Sequence, residues 1–214
     1  MKITDAKPLR YYDISPEISE KSAVFPGDAP FRRTAGLSFS QGSHLDLSHI
    51  ETTVHIGAHA DAPSHYHAGG ETIDLRALDF YMGPCQVLSV KASSGKRLLP
   101  DALRVGVAAP RLLFKTGSFP DPNRWEAGFN SLSPELIDFI AGQGVRLVGI
   151  DTPSIDPHDS KILESHQAVH RHDMAVLEGL LLEGVPDGRY ELIALPLKFK
   201  GADASPVRAV LVEK

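Results

Sequence analysis

Residues 55 to 65 read His-Ile-Gly-Ala-His-Ala-Asp-Ala-Pro-Ser-His, and no other stretch of the 214-residue chain restricts its folding as much. His55, His59 and Asp61 put three donors suited to zinc, manganese or iron within seven residues. In a continuous strand His55 and His59 would lie about 13 Å apart, too far to share one ion easily. A helical turn or tight loop brings residues four apart to about 5–6 Å. Gly57 lets the backbone bend without a Cβ penalty. Pro63 stops a regular helix from running undisturbed through Asp61. The segment therefore predicts a strand ending near Val54, followed by a turn that carries the ligands.

Three protein ligands leave positions open for water, which separates catalytic metal sites from closed structural ones. His65 stands four residues beyond Asp61. Its imidazole suits a general acid or base, and suits a further metal ligand equally. A second group of donors follows later in the chain: His158, His166, His170 and His172, with Glu164 and Glu178. His166 and His170 are spaced to share a helix face. Glu178 interrupts the apolar run Met174-Ala-Val-Leu-Glu-Gly-Leu-Leu-Leu. A carboxylate there is costly to bury unless paired or bound to metal; the alternative is a strand whose Glu178 faces solvent.

Around these motifs, residues 10–14, 45–54, 85–90, 111–115, 145–150, 174–182, 191–195 and 207–212 read as strands. Residues 24–30, with two prolines, Pro26 and Pro30, and a Pro26-Gly27 turn signal, read as a loop. Ser133-Pro134-Glu135 predicts a helix start, with Ser at the N-cap, Pro at the first helical position and a carboxylate near the dipole's positive end. Leu136, Ile137 and Ile140 give that helix its apolar face, and Gly142 and Gly144 end it. Residues 161–171 read as a second helix. Strands outnumber helices and intermix with them, so the class is α/β or α+β with a mixed sheet.

Composition narrows the functional classes. The net charge of -5 argues against nucleic acid as the main partner. With 42% hydrophobic residues and no long apolar stretch, no membrane span is expected. The first ten residues lack the apolar core of a leader peptide, so a cytoplasmic protein is expected. The single cysteine, Cys85, has no intramolecular partner, and its apolar surroundings predict a structural role. The length suits one domain over 1–214.

The 55–65 segment resembles the His-x-Gly-x-His-x-Asp-x-Pro-x-His signature of the cyclase-like metal-dependent hydrolases. Within that family the chain is similar to the arylformamidase branch through Tyr81-Met-Gly-Pro-Cys-Gln-Val, Leu147-Val-Gly-Ile-Asp-Thr-Pro-Ser-Ile-Asp-Pro-His-Asp-Ser-Lys, Leu177-Glu-Gly, Tyr190-Glu-Leu-Ile-Ala-Leu-Pro-Leu-Lys-Phe and Asp203-Ala-Ser-Pro-Val-Arg-Ala-Val-Leu. The resemblance covers about residues 13–211. It implies an α/β fold of the swivelling β/β/α type, a mixed, partly barrel-like sheet with helices packed outside, and a homodimer. It also implies two divalent metal ions, usually zinc, with manganese as the alternative. His55, His59 and Asp61 would bind one ion; Asp61 would bridge to a second held by His166 and Glu178. His65 becomes the proton donor and acceptor, and His44, His49, His67, His158, His170 and His172 are left as surface or supporting groups. The implied reaction is hydrolysis of N-formyl-L-kynurenine to L-kynurenine and formate, a step in tryptophan breakdown. Metal-activated hydroxide would attack the formyl carbonyl, and His65 would protonate the leaving aniline nitrogen.

One loop departs from the family pattern. The family commonly has Trp-Pro-Gly-Asp, with the tryptophan against the substrate ring; here it reads Phe25-Pro26-Gly27-Asp28. Phe25 still offers a face for stacking but no indole N–H. The alternative is that Phe25 only packs under its loop. The departure motivates a second reading, a hydrolase of another small amide such as isatin; a non-catalytic metal-binding domain is a third.

Overall fold

The computed structural model describes residues 9–213. The reading of the extreme N-terminus falls mostly outside them. In chain order the strands and helices are β1 (Tyr11–Asp13), β2 (Arg32–Leu37), β3 (Leu47–Glu51), β4 (His59–Asp61), α1 (Pro63–Tyr66), β5 (Met82–Ser89), β6 (Arg97–Leu98), β7 (Arg111–Lys115), β8 (Ser131–Leu132), α2 (Pro134–Ala141), β9 (Leu147–Ile150), α3 (Glu164–Arg171), β10 (Ala175–Glu178), β11 (Gly188–Ile193), β12 (Ala204–Pro206) and β13 (Val210–Val212).

Among the described residues nine strands form one sheet in the order β1-β13-β11-β5-β7-β9-β10-β4-β12. The four central strands, β5, β7, β9 and β10, are parallel, and every other pairing within this sheet is antiparallel. Parallel strands need crossovers that cover the sheet, so their residues are buried on both faces and read as unbroken apolar runs. Alternate residues divide between two cores. Leu112, Phe114, Val148, Ile150 and Val176 face α2 and α3. Leu113, Leu147, Ala175 and Leu177 pack on the opposite side with Ile14, Tyr81, Cys85, Leu192 and Leu211, where the sheet curls. The fold is thus the mixed, curled α/β arrangement that the resemblance implies. No helix among the described residues is long and apolar enough to cross a membrane.

The local signals around α2 hold as read. Ser133 accepts a hydrogen bond from the Leu136 amide, Pro134 opens the helix, and Leu136, Ile137 and Ile140 are its buried face. The predicted 174–182 strand ends at Glu178, and three further expectations change. The predicted 45–54 strand is shorter, Leu47–Glu51, and pairs with β2, which the sequence reading left out. Both strands are exposed along their whole length, and β2 shows no burial alternation that would reveal it. The second helix starts at Glu164 rather than at 161, because Leu163 takes a left-handed conformation with φ 49°. The third change concerns the ligand-bearing turn: it holds His55 alone, while His59 and Asp61 lie on strand β4.

Candidate active site

Strand β4 is the foundation of the site. It lies between β10 and β12, with His59 opposite Glu178 and Asp61 opposite Val176. Residues two apart on a strand point to the same face, so His59 and Asp61 project together. His55 reaches them from the bend at residues 54–58, where Gly57 has φ 58°, in the left-handed region that favours glycine. The His55 and His59 rings are 5.2 Å apart, centre to centre. The bend near Gly57 is therefore present, although the strand beyond it supplies the other two donors.

From the opposite side α3 delivers His166. Its Nε2 lies 3.2 Å from Asp61 Oδ2 and 3.3 Å from Glu178 Oε1. Glu178 is buried in the site, so the solvent-facing alternative for it does not hold. His170, one turn further along α3, instead stacks on His67 at 3.8 Å. His44 and His49 are exposed. His172 bonds to Asp138 at the surface, and His158 lines the mouth of the cavity.

Each of the three inner histidines has one nitrogen held from behind and the other turned toward the two buried carboxylates. A carbonyl only accepts, so His59 Nδ1–H donates to Gly57 O at 3.0 Å, leaving Nε2 3.4 Å from Glu178 Oε2. His55 Nε2 meets Asp203 Oδ2 at 2.9 Å, and its Nδ1 meets Asp61 Oδ1 at 3.0 Å. His166 Nδ1 meets Asp156 Oδ2 at 2.8 Å. Partners of this kind fix tautomer and ring orientation in metal-binding histidines. Asp156 also accepts from the Ser165 and His166 amides and from Arg97, so one carboxylate caps α3 and aligns its histidine. Leu163, at the N-cap position, has no side chain able to do so.

The electrostatics follow from this crowding. Burial alone would raise the Asp61 carboxyl, but hydrogen bonds from His166 and His55 hold it well below the usual carboxylate range. Burial likewise disfavours a charged His166, yet Asp156, Asp61 and Glu178 together push its pKa well above the ordinary value. For His55 burial is again overcome, by Asp61 and then Asp203, and the pKa rises to about 9. Even so, His59 Nε2 is buried without a hydrogen-bond partner among the described residues, its nearest carboxylate oxygens standing 3.4 and 3.5 Å away. Buried polar atoms are rarely left so. Two donor groups sit at metal-sharing distance, His59 with Asp61 and Glu178, and His55 with Asp61 and His65; within each, ligand atoms lie within 4.8 Å of one another. The orphaned His59 nitrogen and this donor set fit divalent metal.

His65 lies on α1, which Pro63 opens. Its Nδ1 is 3.3 Å from Asp203 Oδ2, and its ring is 4.2 Å from that of His55. It is partly exposed, on a cavity of about 610 Å³ that is also lined by His55, His59, His166, Glu178 and Asp203. Phe25 lines the same cavity, so it does more than pack under its loop. Sequence reasoning assigned no role to Asp156 or Asp203. Both stand inside quoted family stretches, but only the folded chain brings Asp203 to His55, 148 positions away.

The backbone around these groups is tight. Gly179 directly follows Glu178, with φ 64°, and a Cβ there would lie 2.1 Å from Gly57 O. The same Gly57 carbonyl orients His59. Two glycines thus let the end of β10 approach the bend at van der Waals contact.

Residues 12–157 match the Cyclase family model, described as "Putative cyclase". The chain is 48% identical over 206 residues to the kynurenine formamidase of Bordetella pertussis, covering 95% of this chain and 98% of that protein; the Bordetella bronchiseptica kynurenine formamidase gives the same figures. Among solved structures, a potential metal-dependent hydrolase with cyclase activity superposes with a TM-score of 0.83 at 27% identity, covering 97% of this chain and 99% of the other. An isatin hydrolase bound to thioisatinate shares the fold at a TM-score of 0.79 and 18% identity, covering 96% and 92%. By the family match and by relatives that align along almost its entire length, this chain belongs to the cyclase family.

Proposed function

We propose that this chain is a metal-dependent hydrolase that converts N-formyl-L-kynurenine to L-kynurenine and formate. One observation carries the reading: His55, His59, His166 and Glu178 converge with His65 on one cavity whose outer wall is aromatic. The 48% identity to formamidases supports the substrate, because it spans the segments bearing both halves of the site. The isatin hydrolases are similar at the level of fold, at 18–22% identity, and support that rival less.

His55, His59 and Asp61 would hold one divalent ion, and Asp61, His166 and Glu178 would hold a second; zinc suits this mixed nitrogen and oxygen set, and manganese is the alternative. When bound, such ions supply Lewis acidity and lower the pKa of coordinated water. His65 is the proton carrier. Asp203 engages its Nδ1, so Nε2 is the nitrogen that exchanges protons. As a C–O bond forms between water and the formyl carbon, His65 accepts the water's proton. As the C–N bond breaks, it returns a proton to the departing aniline nitrogen. Phe25 bears on the substrate ring from the cavity wall.

The active species is a homodimer. The β2–β3 hairpin supports this: a two-stranded unit is marginal alone, and it carries exposed Leu37, Phe39, Leu47 and Ile50. Site residues from positions 25 to 203 meet at one cavity, which supports reading the chain as one domain. A cytoplasmic location agrees with the single cysteine's lack of a partner.

The test is an assay of purified, metal-analysed protein with N-formyl-L-kynurenine and with isatin. Turnover of the first that is lost on chelation and regained on metal addition is expected. Turnover of isatin alone, or metal binding with no turnover of either, would overturn the reading.

A further inference from the structure

The cavity has a wall that none of the metal-site chemistry uses. It is built from two loops far apart in sequence, residues 22–28 and 118–130. The Ala23 amide bonds to Pro122 O at 2.9 Å, which clasps one loop to the other. Across that clasp the Phe25 and Trp125 rings meet edge-on, 4.6 Å apart at 61°. Both line the cavity, and Phe119 lines it beside them. Behind them Phe129 is buried and lies 6.0 Å from Trp125 and 6.2 Å from Phe119.

The loop bearing Trp125 is held at its base. Asp151, at the end of β9, accepts from the Thr116 amide at 2.9 Å, the Thr116 hydroxyl at 2.6 Å and the Gly117 amide at 2.8 Å. The Asn130 amide then closes the loop onto Ser118 Oγ at 2.8 Å. A ring fixed by such packing loses little conformational freedom when a ligand stacks on it. Trp125 keeps part of its surface exposed, and that part borders the cavity.

We propose that Trp125 is a specificity-determining residue: with Phe25 it forms a preorganised slot for a planar aromatic ring attached to the scissile formamide. This rests on the proposed formamidase reading and names the wall that selects aryl formamides over aliphatic ones. The slot does not depend on metal, so it can be probed in the metal-free protein.

Trp125 is the only tryptophan in the chain, and its fluorescence therefore reports on this wall alone. Formanilide, a minimal aryl formamide, is expected to shield Trp125 saturably from acrylamide quenching in the metal-free protein, whereas formamide leaves the quenching unchanged. In the metal-loaded enzyme, Trp125→Ala raises KM for N-formyl-L-kynurenine about tenfold, with a smaller effect on kcat; Trp125→Phe, which keeps a ring, raises it about two- to threefold. Equal shielding by formanilide and formamide, or none by either, overturns the slot. So does a KM within about twofold of wild type for a folded Trp125→Ala enzyme. If wild-type enzyme fails to turn over N-formyl-L-kynurenine, the formamidase reading falls while the shielding result still decides the slot. If Trp125→Ala fails to fold, Trp125→Phe and the wild-type shielding decide it.

Discussion

The histidine nitrogens at this site are committed by their neighbours before any ligand arrives. His55 carries a proton up to about pH 9 in the metal-free protein, since Asp61 and Asp203 outweigh its burial. A metal ion must displace that proton, so binding releases protons and weakens as pH falls. Titration calorimetry in buffers of different ionisation enthalpy should show net proton release near neutral pH. The sign reverses for the metal-free fold. A histidine raised from 6.5 to about 9 adds stability that is complete below about pH 6.5 and is lost as pH rises through 9. The His55 contribution therefore makes the chelated protein melt lower at pH 9.5 than at pH 6.5, and a melting point that did not fall over this interval would contradict it. For His65→Ala, turnover should drop about 10²- to 10⁴-fold with metal content unchanged, as measured by kcat beside elemental analysis. Wild-type turnover in that variant would end the proton-carrier role. Cys85 takes no part: it is fully buried, and burial pushes its thiol up to about 12. It should stay unlabelled by a disulfide reagent at neutral pH until the protein is unfolded.

At the scale of elements, what could be read from the chain depended on whether the signal was local. The start of α2 is written in consecutive residues, Ser133-Pro134-Glu135, and it folds as they predict. Removing that cap by Ser133→Ala should cost about 1 kcal/mol in chemical denaturation. Strand β7 was equally plain, because Arg111–Lys115 centres on the short apolar run Leu-Leu-Phe. Strand β3 was legible within the 45–54 reading, but its partner β2, exposed along its whole length, gave no such sign. The metal segment was legible in its donors but not in its path. The 55-to-59 spacing, Gly57 and Pro63 argued for a turn, while the two-residue step from His59 to Asp61 fits a strand that β10 and β12 complete from more than 100 positions away. Asp156, Asp203 and Trp125 act through contacts that no spacing rule anticipates. The approach of β10 to the bend has its own test. Gly179→Ala forces a left-handed alanine against Gly57 O, and should cost roughly 2–4 kcal/mol and weaken metal binding, both measurable by denaturation and metal titration.

For the molecule as a whole, bound metal is expected to hold together parts that a charged cluster alone would hold poorly. Chelation should lower the thermal midpoint reversibly, and free metal at about a hundred to a thousand times its Kd should add about 3–4 kcal/mol. Light scattering after size exclusion should give a dimer mass, with Ile50→Glu on the exposed hairpin shifting it toward monomer. The distances along the chain have a further meaning in time. Asp61 meets His166 across 105 positions and His55 meets Asp203 across 148. During synthesis the first ligands leave the ribosome long before their partners exist, and contacts so far apart form late. Metal insertion is therefore an event of the finished chain. A ribosome-stalled product ending before Glu178 should acquire no metal, however complete its amino-terminal signature.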